Sequence, residues 1–302
     1  MSDPLISICT PAYQAELYLE ATLDSVRAQT FGDWELIVVE DGSRDRTEEI
    51  FTRFAATVTQ PVRFLRHEKN SGLPATRNTA IAAARGTWIA LLDADDLWTP
   101  GHLAQLVARA HATEADLVHS AVAMFDSDTG QELGIRAPNA AAIAEFPVSL
   151  FHGRYPIQPS SVMIRREKLR AVGGFDPGTP YVEDFELWMR LVRGGARFAF
   201  APEATCRYRQ HATAMTRNGA AMALGVASVY ERNADWQGVS PAVAHRSAAN
   251  AWFSAGRILL RSEPARAADC FRKSVRHRPA ALVAWCYLLA AVLLRGAAAL
   301  RK

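Results

Sequence analysis

Three groups of carboxylates stand out in this sequence by type and spacing. Asp93-Ala94-Asp95-Asp96 follows directly on the wholly apolar Ile89–Leu92. Three carboxylates within four residues repel one another, and holding them at the end of a buried strand is costly unless a cation is present. Hard oxygen ligands of this kind suit Mg2+ or Mn2+, which would bridge to a diphosphate and neutralise it as a leaving group. Asp41, in Val38-Val39-Glu40-Asp41-Gly42-Ser43, can accept a hydrogen bond from a nucleobase N–H while Gly42 permits a tight turn. It suits equally well the cap of a helix starting near Arg46. Glu183-Asp184 enters the helical run Phe185–Leu191, where first-turn acids commonly do no more than complement the helix dipole. Alongside a metal cluster they take on a second meaning. A transfer in which a hydroxyl attacks and a diphosphate departs requires one carboxylate to receive the hydroxyl proton.

These groups need a frame that brings them to one place. Leu5–Cys9 and Trp34–Val39 are short apolar runs with the look of buried parallel strands, and Glu16–Gln29 between them repeats Leu19, Leu23 and Val26 at helical spacing, a βαβ unit. Val62–Leu65 is a third strand. Pro74 lies in the first turn of the helix that follows, with Gly86 at its end. Trp88–Leu92 is a fourth strand and carries the Asp93–Asp96 cluster at its tip. In an open parallel sheet, ligands bind beyond the carboxyl ends of the strands, where loop amides and helix N-termini converge. Further on, Gly101–Ala112 reads as a helix and Asp116–Phe125 as a strand, and Asp126–Pro159 is a pattern-poor variable segment. Ser160–Ile164, Phe198–Ala201 and Thr205–Tyr208 read as strands, Glu167–Val172 and Glu183–Arg193 as helices. The expected class is α/β: an open, mostly parallel, Rossmann-like sheet flanked by helices over residues 1–218, followed by an all-α extension over 219–302.

Composition separates these two parts. Up to Thr205 there are 19 basic against 27 acidic residues, and beyond it 15 against 4, so the parts carry −8 and +11. A basic tail on an acidic body predicts either contact with something anionic, such as lipid head groups, or a solvated basic face. Within the tail, Trp252, Ala255, Gly256, Leu259, Ala267, Ala268, Phe271 and Pro279 fall near tetratricopeptide spacing, with one residue missing between the helices. Ala280–Leu294 carries no charge and is some five residues too short to span a bilayer, so it reads as a packed or an interfacial helix. The four cysteines, Cys9, Cys206, Cys270 and Cys286, follow no metal or paired spacing, and no secretory signal opens the chain. Reduced thiols and a cytoplasmic location, against the inner face of the membrane, are the expectation.

Five separated stretches, in order, resemble family 2 glycosyltransferases of the GT-A fold: Ile8–Tyr13, Val39–Ser43, Asn70-Ser71-Gly72 with Arg77-Asn78, Leu92–Asp96, and Glu183-Asp184 through Trp188. The resemblance covers roughly residues 5 to 215. It implies inverting transfer of a sugar from a nucleotide sugar, a UDP-sugar first of all, with Mn2+ or Mg2+ as cofactor. It also implies a glycan or lipid-linked acceptor in cell-surface polysaccharide or lipopolysaccharide synthesis. By that resemblance Pro11, Tyr13 and Asp41 hold the base, Arg77 lies near base or diphosphate, Asp93 near the ribose, and Asp95 is the principal metal ligand. Asp184 is the catalytic base, with Glu183 its helper or an acceptor contact. Tyr208-Arg209-Gln210-His211 is similar to the loop closing over donor phosphates, so that His211 completes the metal or diphosphate site. Two departures are visible: Glu40 stands where many relatives have Asp, and Thr213 and Thr216 replace the serines frequent in the closing loop.

A sugar-phosphate nucleotidyltransferase would share the metal carboxylates. It needs a glycine-rich basic loop after the first strand, and Thr10-Pro11-Ala12-Tyr13-Gln14 is neither. A non-catalytic nucleotide-binding scaffold would have little reason to keep unneutralised carboxylates together.

Overall fold

A computed structural model describes residues 4–179, 181–211 and 218–299. In chain order the strands are β1 (Ile6–Ala12), β2 (Trp34–Glu40), β3 (Val62–Arg66), β4 (Trp88–Leu91), β5 (Leu97–Trp98), β6 (Leu117–Asp126), β7 (Glu132–Arg136), β8 (Val162–Arg165) and β9 (Phe198–Gln210). The helices are α1 (Leu19–Arg27), α2 (Thr47–Ala55), α3 (Leu73–Ala83), α4 (His102–Thr113), α5 (Ala140–Ala144), α6 (Val148–Phe151), α7 (Arg166–Ala171), α8 (Glu183–Arg193), α9 (Gly219–Arg232), α10 (Pro241–Leu259), α11 (Pro264–His277) and α12 (Leu282–Ala299). Two compact units share the chain: residues 1–178 with 187–212, and residues 179–186 with 213–302.

The first unit is built on one sheet in the order β3-β2-β1-β4-β8-β6-β9-β5, with β7 paired to β6. Mostly apolar side chains in β1 and β2 fit strands covered on both faces, and all seven residues of each are buried, Ser7 and Glu35 among them as a hydrogen-bonded pair. From β3 to β4 the pairing is parallel, as the alternating strand and helix pattern requires. Beyond β4 the sheet is mixed: β8 runs antiparallel to β4 and β6, β9 runs parallel to β6, and β5 antiparallel to β9. From β1 the chain steps to β2 on one side and later to β4 on the other, which opens a crevice at the carboxyl ends of β1 and β4. One face of the sheet, with Ile8, Leu36, Val38, Trp88 and Ala90, packs on Leu19, Leu23 and Val26 of α1 and Leu103 and Leu106 of α4.

Three local expectations change. Phe198–Ala201 and Thr205–Tyr208 belong to a single 13-residue strand. Pro202, which has no N–H to donate, and Glu203 fall out of the ladder, so that Ser120 pairs Ala201 while Ala121 pairs Ala204. Gly86 does not end the preceding helix, which stops at Ala83. It lies where a Cβ would stand 2.6 Å from the Ser7 backbone nitrogen, so a glycine is needed for β1 and β4 to approach there. The pattern-poor Asp126–Pro159 holds β7, α5 and α6, with Asn139 Oδ1 accepting from Ala142 N–H to start α5.

The second unit is helical. Asn218 and Ser240 side chains cap α9 and α10, and Pro241 and Pro264 occupy the first turns of α10 and α11, where no N–H is missed. Trp252, Ala255, Leu259, Ala267, Ala268 and Phe271 form its buried cluster. Gly256 meets Phe271 so closely that a Cβ would lie 2.6 Å from the ring. The first turn of α8 belongs here too: Val182 packs on Gly225 and Phe185 edge-on to Tyr230. Among the described residues no helix is long and apolar enough to cross a membrane.

Candidate active site

The expected site residues of the first unit lie at or just past strand tips, except Arg77, which reaches the site from helix α3. Pro11 and Ala12 end β1, and Tyr13 follows, about half exposed. The loop after β1 is stitched to the loop after β2: Gln14 N–H donates to Ser43 Oγ, Ala15 N–H to Thr47 Oγ1 and Glu16 N–H to Asp45 Oδ2.

Asp41 lies at the tip of β2 and is buried. It does not cap α2, whose first N–H, that of Thr47, donates to Asp45 Oδ1. Its carboxylate accepts instead from Ser71 N–H and Gly72 N–H at 2.9 Å each, and its Oδ1 lies 2.7 Å from His67 Nδ1. Burial by itself would raise the Asp41 pKa, but these partners outweigh it and hold the carboxyl below its ordinary value, so it is an anion at neutral pH. The Asn70-Ser71-Gly72 stretch is thus tied to β2 through Asp41. Gly42 makes that approach possible: its φ is +79°, and a Cβ there would meet the Lys69 carbonyl carbon at 2.7 Å.

The cluster after β4 separates into three environments. Asp93 receives Arg77 Nη2 at 2.7 Å, and its N–H donates to Ser160 Oγ. Arg77 is itself buried and lies over the Phe175 ring. Asp95 is 37% exposed at its side chain, and its Oδ2 lies 3.0 Å from His211 Nε2. Asp96 is fully buried. Its Oδ1 accepts from Arg209 N–H at 3.0 Å, while its Oδ2 meets no donor among the described residues. Burial, then the neighbouring Asp95 and Asp93, push the Asp96 pKa well up. None of these carboxylates caps the next helix, because Gly101 stands at the start of α4.

This donor set fits a divalent cation of a particular kind. Among the described residues no three His, Cys, Asp or Glu side chains converge as a complete cage. A carboxylate and an imidazole side by side, with a neighbouring buried carboxyl that leaves one oxygen without a donor, suit an ion that takes one or two protein ligands and completes its shell from phosphate and water.

Sequence reasoning passed over several supporting residues. Arg209 donates from Nε to the Asp95 carbonyl, and its guanidinium lies between the rings of Tyr18 and Phe125, 4.7 Å from each. Tyr18 in turn lies 5.1 Å from the His211 ring. Trp98 Nε1 donates to the Ser160 carbonyl, holding the residue that meets Asp93. Arg209 lies within the Tyr208–His211 stretch, but nothing local marks it as the prop of a loop 113 residues away. Thr213 and Thr216 lie outside the described residues. Glu183, buried, and Asp184 stand in the first turn of α8, within the helical unit, whereas Pro11, Tyr13, Asp41, Arg77, Asp93, Asp95 and His211 all lie in the sheet unit.

A family model described as glycosyl transferase family 2 matches residues 7–173. The uncharacterized glycosyltransferase EpsJ of Bacillus subtilis (strain 168) is 31% identical over 70% of this chain and 63% of its own length, so the chain spans less than two thirds of that relative. The UDP-Glc:alpha-D-GlcNAc-diphosphoundecaprenol beta-1,3-glucosyltransferase WfgD of Escherichia coli is 39% identical over 34% of this chain and 40% of its own. Among solved structures, S. aureus TarS 1-349 in complex with UDP-GlcNAc superposes with a TM-score of 0.71 at 16% identity, covering 90% of this chain and 81% of that one.

Proposed function

The chain belongs to glycosyl transferase family 2, and from that membership we propose that it transfers a sugar from a UDP-sugar to an acceptor hydroxyl with inversion at the sugar carbon. The observation that carries the reading is the Asp95–His211 pair beside the Arg77–Asp93 pair at one strand tip. The UDP-sugars in the names of WfgD and the TarS complex support the choice of donor.

Pro11, Tyr13 and Asp41 take the base, the half-exposed Tyr13 ring offering a face to stack on and the Asp41 anion an acceptor for a base N–H. Asp93, fixed by Arg77, faces the ribose. Asp95 and His211 are the residues that would hold Mn2+ or Mg2+, which when bound supplies the positive charge that lets the diphosphate depart. Arg209 keeps the Asp93–Asp96 turn in shape by holding the Asp95 carbonyl and the Asp96 carboxylate. Asp184, by its place in the family motif, receives the proton of the attacking hydroxyl, and Glu183 assists it.

The acceptor class we assign is a growing cell-surface polysaccharide or lipopolysaccharide, lipid-linked as in the name of WfgD. The enzyme then works at the inner face of the cell membrane, with the basic helical unit as its peripheral contact. The test is Asp184→Asn. Transfer is expected to fall by orders of magnitude while UDP binding, by calorimetry with Mn2+, stays within about threefold. Normal turnover by this variant would refute the base assignment, and no Mn2+-dependent UDP binding by the unaltered chain would refute the donor site.

A further inference from the structure

The last helix has one face too many. Ala284 and Ala291 of α12 are buried, and Tyr287 and Leu288 pack on the cluster around Phe271, so this side of the helix belongs to the fold. On the opposite side Leu282, Trp285, Cys286, Leu289, Val292 and Leu293 recur at spacings of three and four, the pattern of one continuous stripe along the helix. Leu282 is 76% exposed, Leu289 62% and Leu293 65%. Beside the stripe, Val283 and Leu294 are also exposed. A helix apolar on every side needs a second apolar environment. Scattered surface leucines are ordinary, but an unbroken run of this length is not.

Charge decides which environment this is. From Cys270 to Lys302 the chain holds seven Lys and Arg and no Asp or Glu. Arg272 and Arg276 of α11, which packs on α12, are exposed, as are Arg278 in the link between them and Arg295 near the far end of the stripe. A second copy laid on this face would bring two such cationic stretches together without an anion between them. An anionic bilayer surface satisfies both features at once: acyl chains take the stripe, and headgroups take the arginines around it. Trp285 suits the boundary, since its ring is half exposed while its Nε1–H is spent on the Pro279 carbonyl. Among the described residues no helix is long and apolar enough to cross a membrane, so the stripe is placed in the interface.

We propose that the exposed stripe of α12 inserts into the headgroup layer of an anionic membrane, with Arg276, Arg278 and Arg295 ringing the insertion. This deepens the peripheral-membrane part of the reading above, and replaces general attraction of a basic tail by a defined apolar contact. Flotation of the full chain on phosphatidylcholine vesicles containing about one third phosphatidylglycerol tests it. Recovery with these vesicles is expected to exceed that with pure phosphatidylcholine about tenfold or more. Leu289→Glu with Leu293→Glu should abolish it, and Arg276→Glu with Arg278→Glu should lower it about tenfold, with circular dichroism unchanged in both. Cys286 is the one exposed cysteine of the four, so an environment-sensitive fluorophore attached there reads the same contact without the double substitution. Its emission should shift to the blue on anionic vesicles. No flotation, flotation that survives the Leu289→Glu/Leu293→Glu change, or a dimer in light scattering that this change splits would each overturn the proposal. UDP-sugar hydrolysis in free solution should be the same in all these variants, so its absence would count against the transferase reading and not against this one.

Discussion

His67 bridges two elements of the sheet unit: its Nδ1 lies 2.7 Å from Asp41 Oδ1 and its Nε2 2.9 Å from Thr79 Oγ1. The tip of β2, the end of β3 and helix α3 are fastened together through one imidazole that is mostly buried. Asp41 therefore has its position set from outside the β2 loop, by a residue 26 positions further along the chain. His67→Ala should weaken UDP binding by about five- to thirtyfold, through the loss of a charge-assisted hydrogen bond and the freeing of the carboxylate. Calorimetry with UDP checks this, and His67→Gln, whose amide can still donate to Asp41, should recover part of the loss.

Asp95→Asn should reduce Mn2+-dependent UDP affinity by tenfold or more, while leaving the melting temperature within about 2 °C, because Asp95 is over one third exposed and carries little of the fold. Paired titrations of UDP with and without Mn2+ separate the two effects. An Asn variant that keeps the full Mn2+ response would remove Asp95 from the ion's shell.

Gly42→Ala should destabilise the chain by about 2 kcal/mol or more, from the positive φ and the contact with the Lys69 backbone. Urea unfolding measures it. The same substitution at Gly130, which also has positive φ but open space around it, should cost about half as much.

Acid sensitivity has an identifiable source in Glu35, which is fully buried and accepts from Ser7 Oγ, Arg85 N–H, Arg63 Nη2 and Arg85 Nε. Burial alone would raise its pKa. The Ser7 hydroxyl, the Arg85 amide and the two guanidinium groups outweigh burial and hold it below the ordinary 4.5. A carboxyl depressed in the folded state stabilises fully above its unfolded pKa, and that contribution is lost as pH falls through the folded value. Stability should therefore decline below about pH 4.5, and Glu35→Gln, less stable at pH 7, should show a flatter decline across that range in urea melts.

Much of this protein is written locally. Apolar runs of strand length, each followed by turn residues, place Asp41 after β2 and Asp93–Asp96 after β4, because a buried strand needs apolar side chains and its polar successor must lie at the sheet's edge. Helical spacing likewise foretells α1, α8 and the Trp252–Phe271 hairpin. What the tertiary structure decided are the pairings over long stretches of chain. Nothing near Asp95 foretells that β9, running beside β6 and bulged at Pro202, delivers His211 to within 3.0 Å of it across 116 residues. Nor does local pattern show that Asp96 is buried while Asp95 beside it is partly exposed, or that the largely apolar α12 covers the Phe271 cluster with only one side. Periodicity records which residues avoid water. Which partner they find depends on strand order and register, and those are fixed only when the whole sheet and the helical stack assemble.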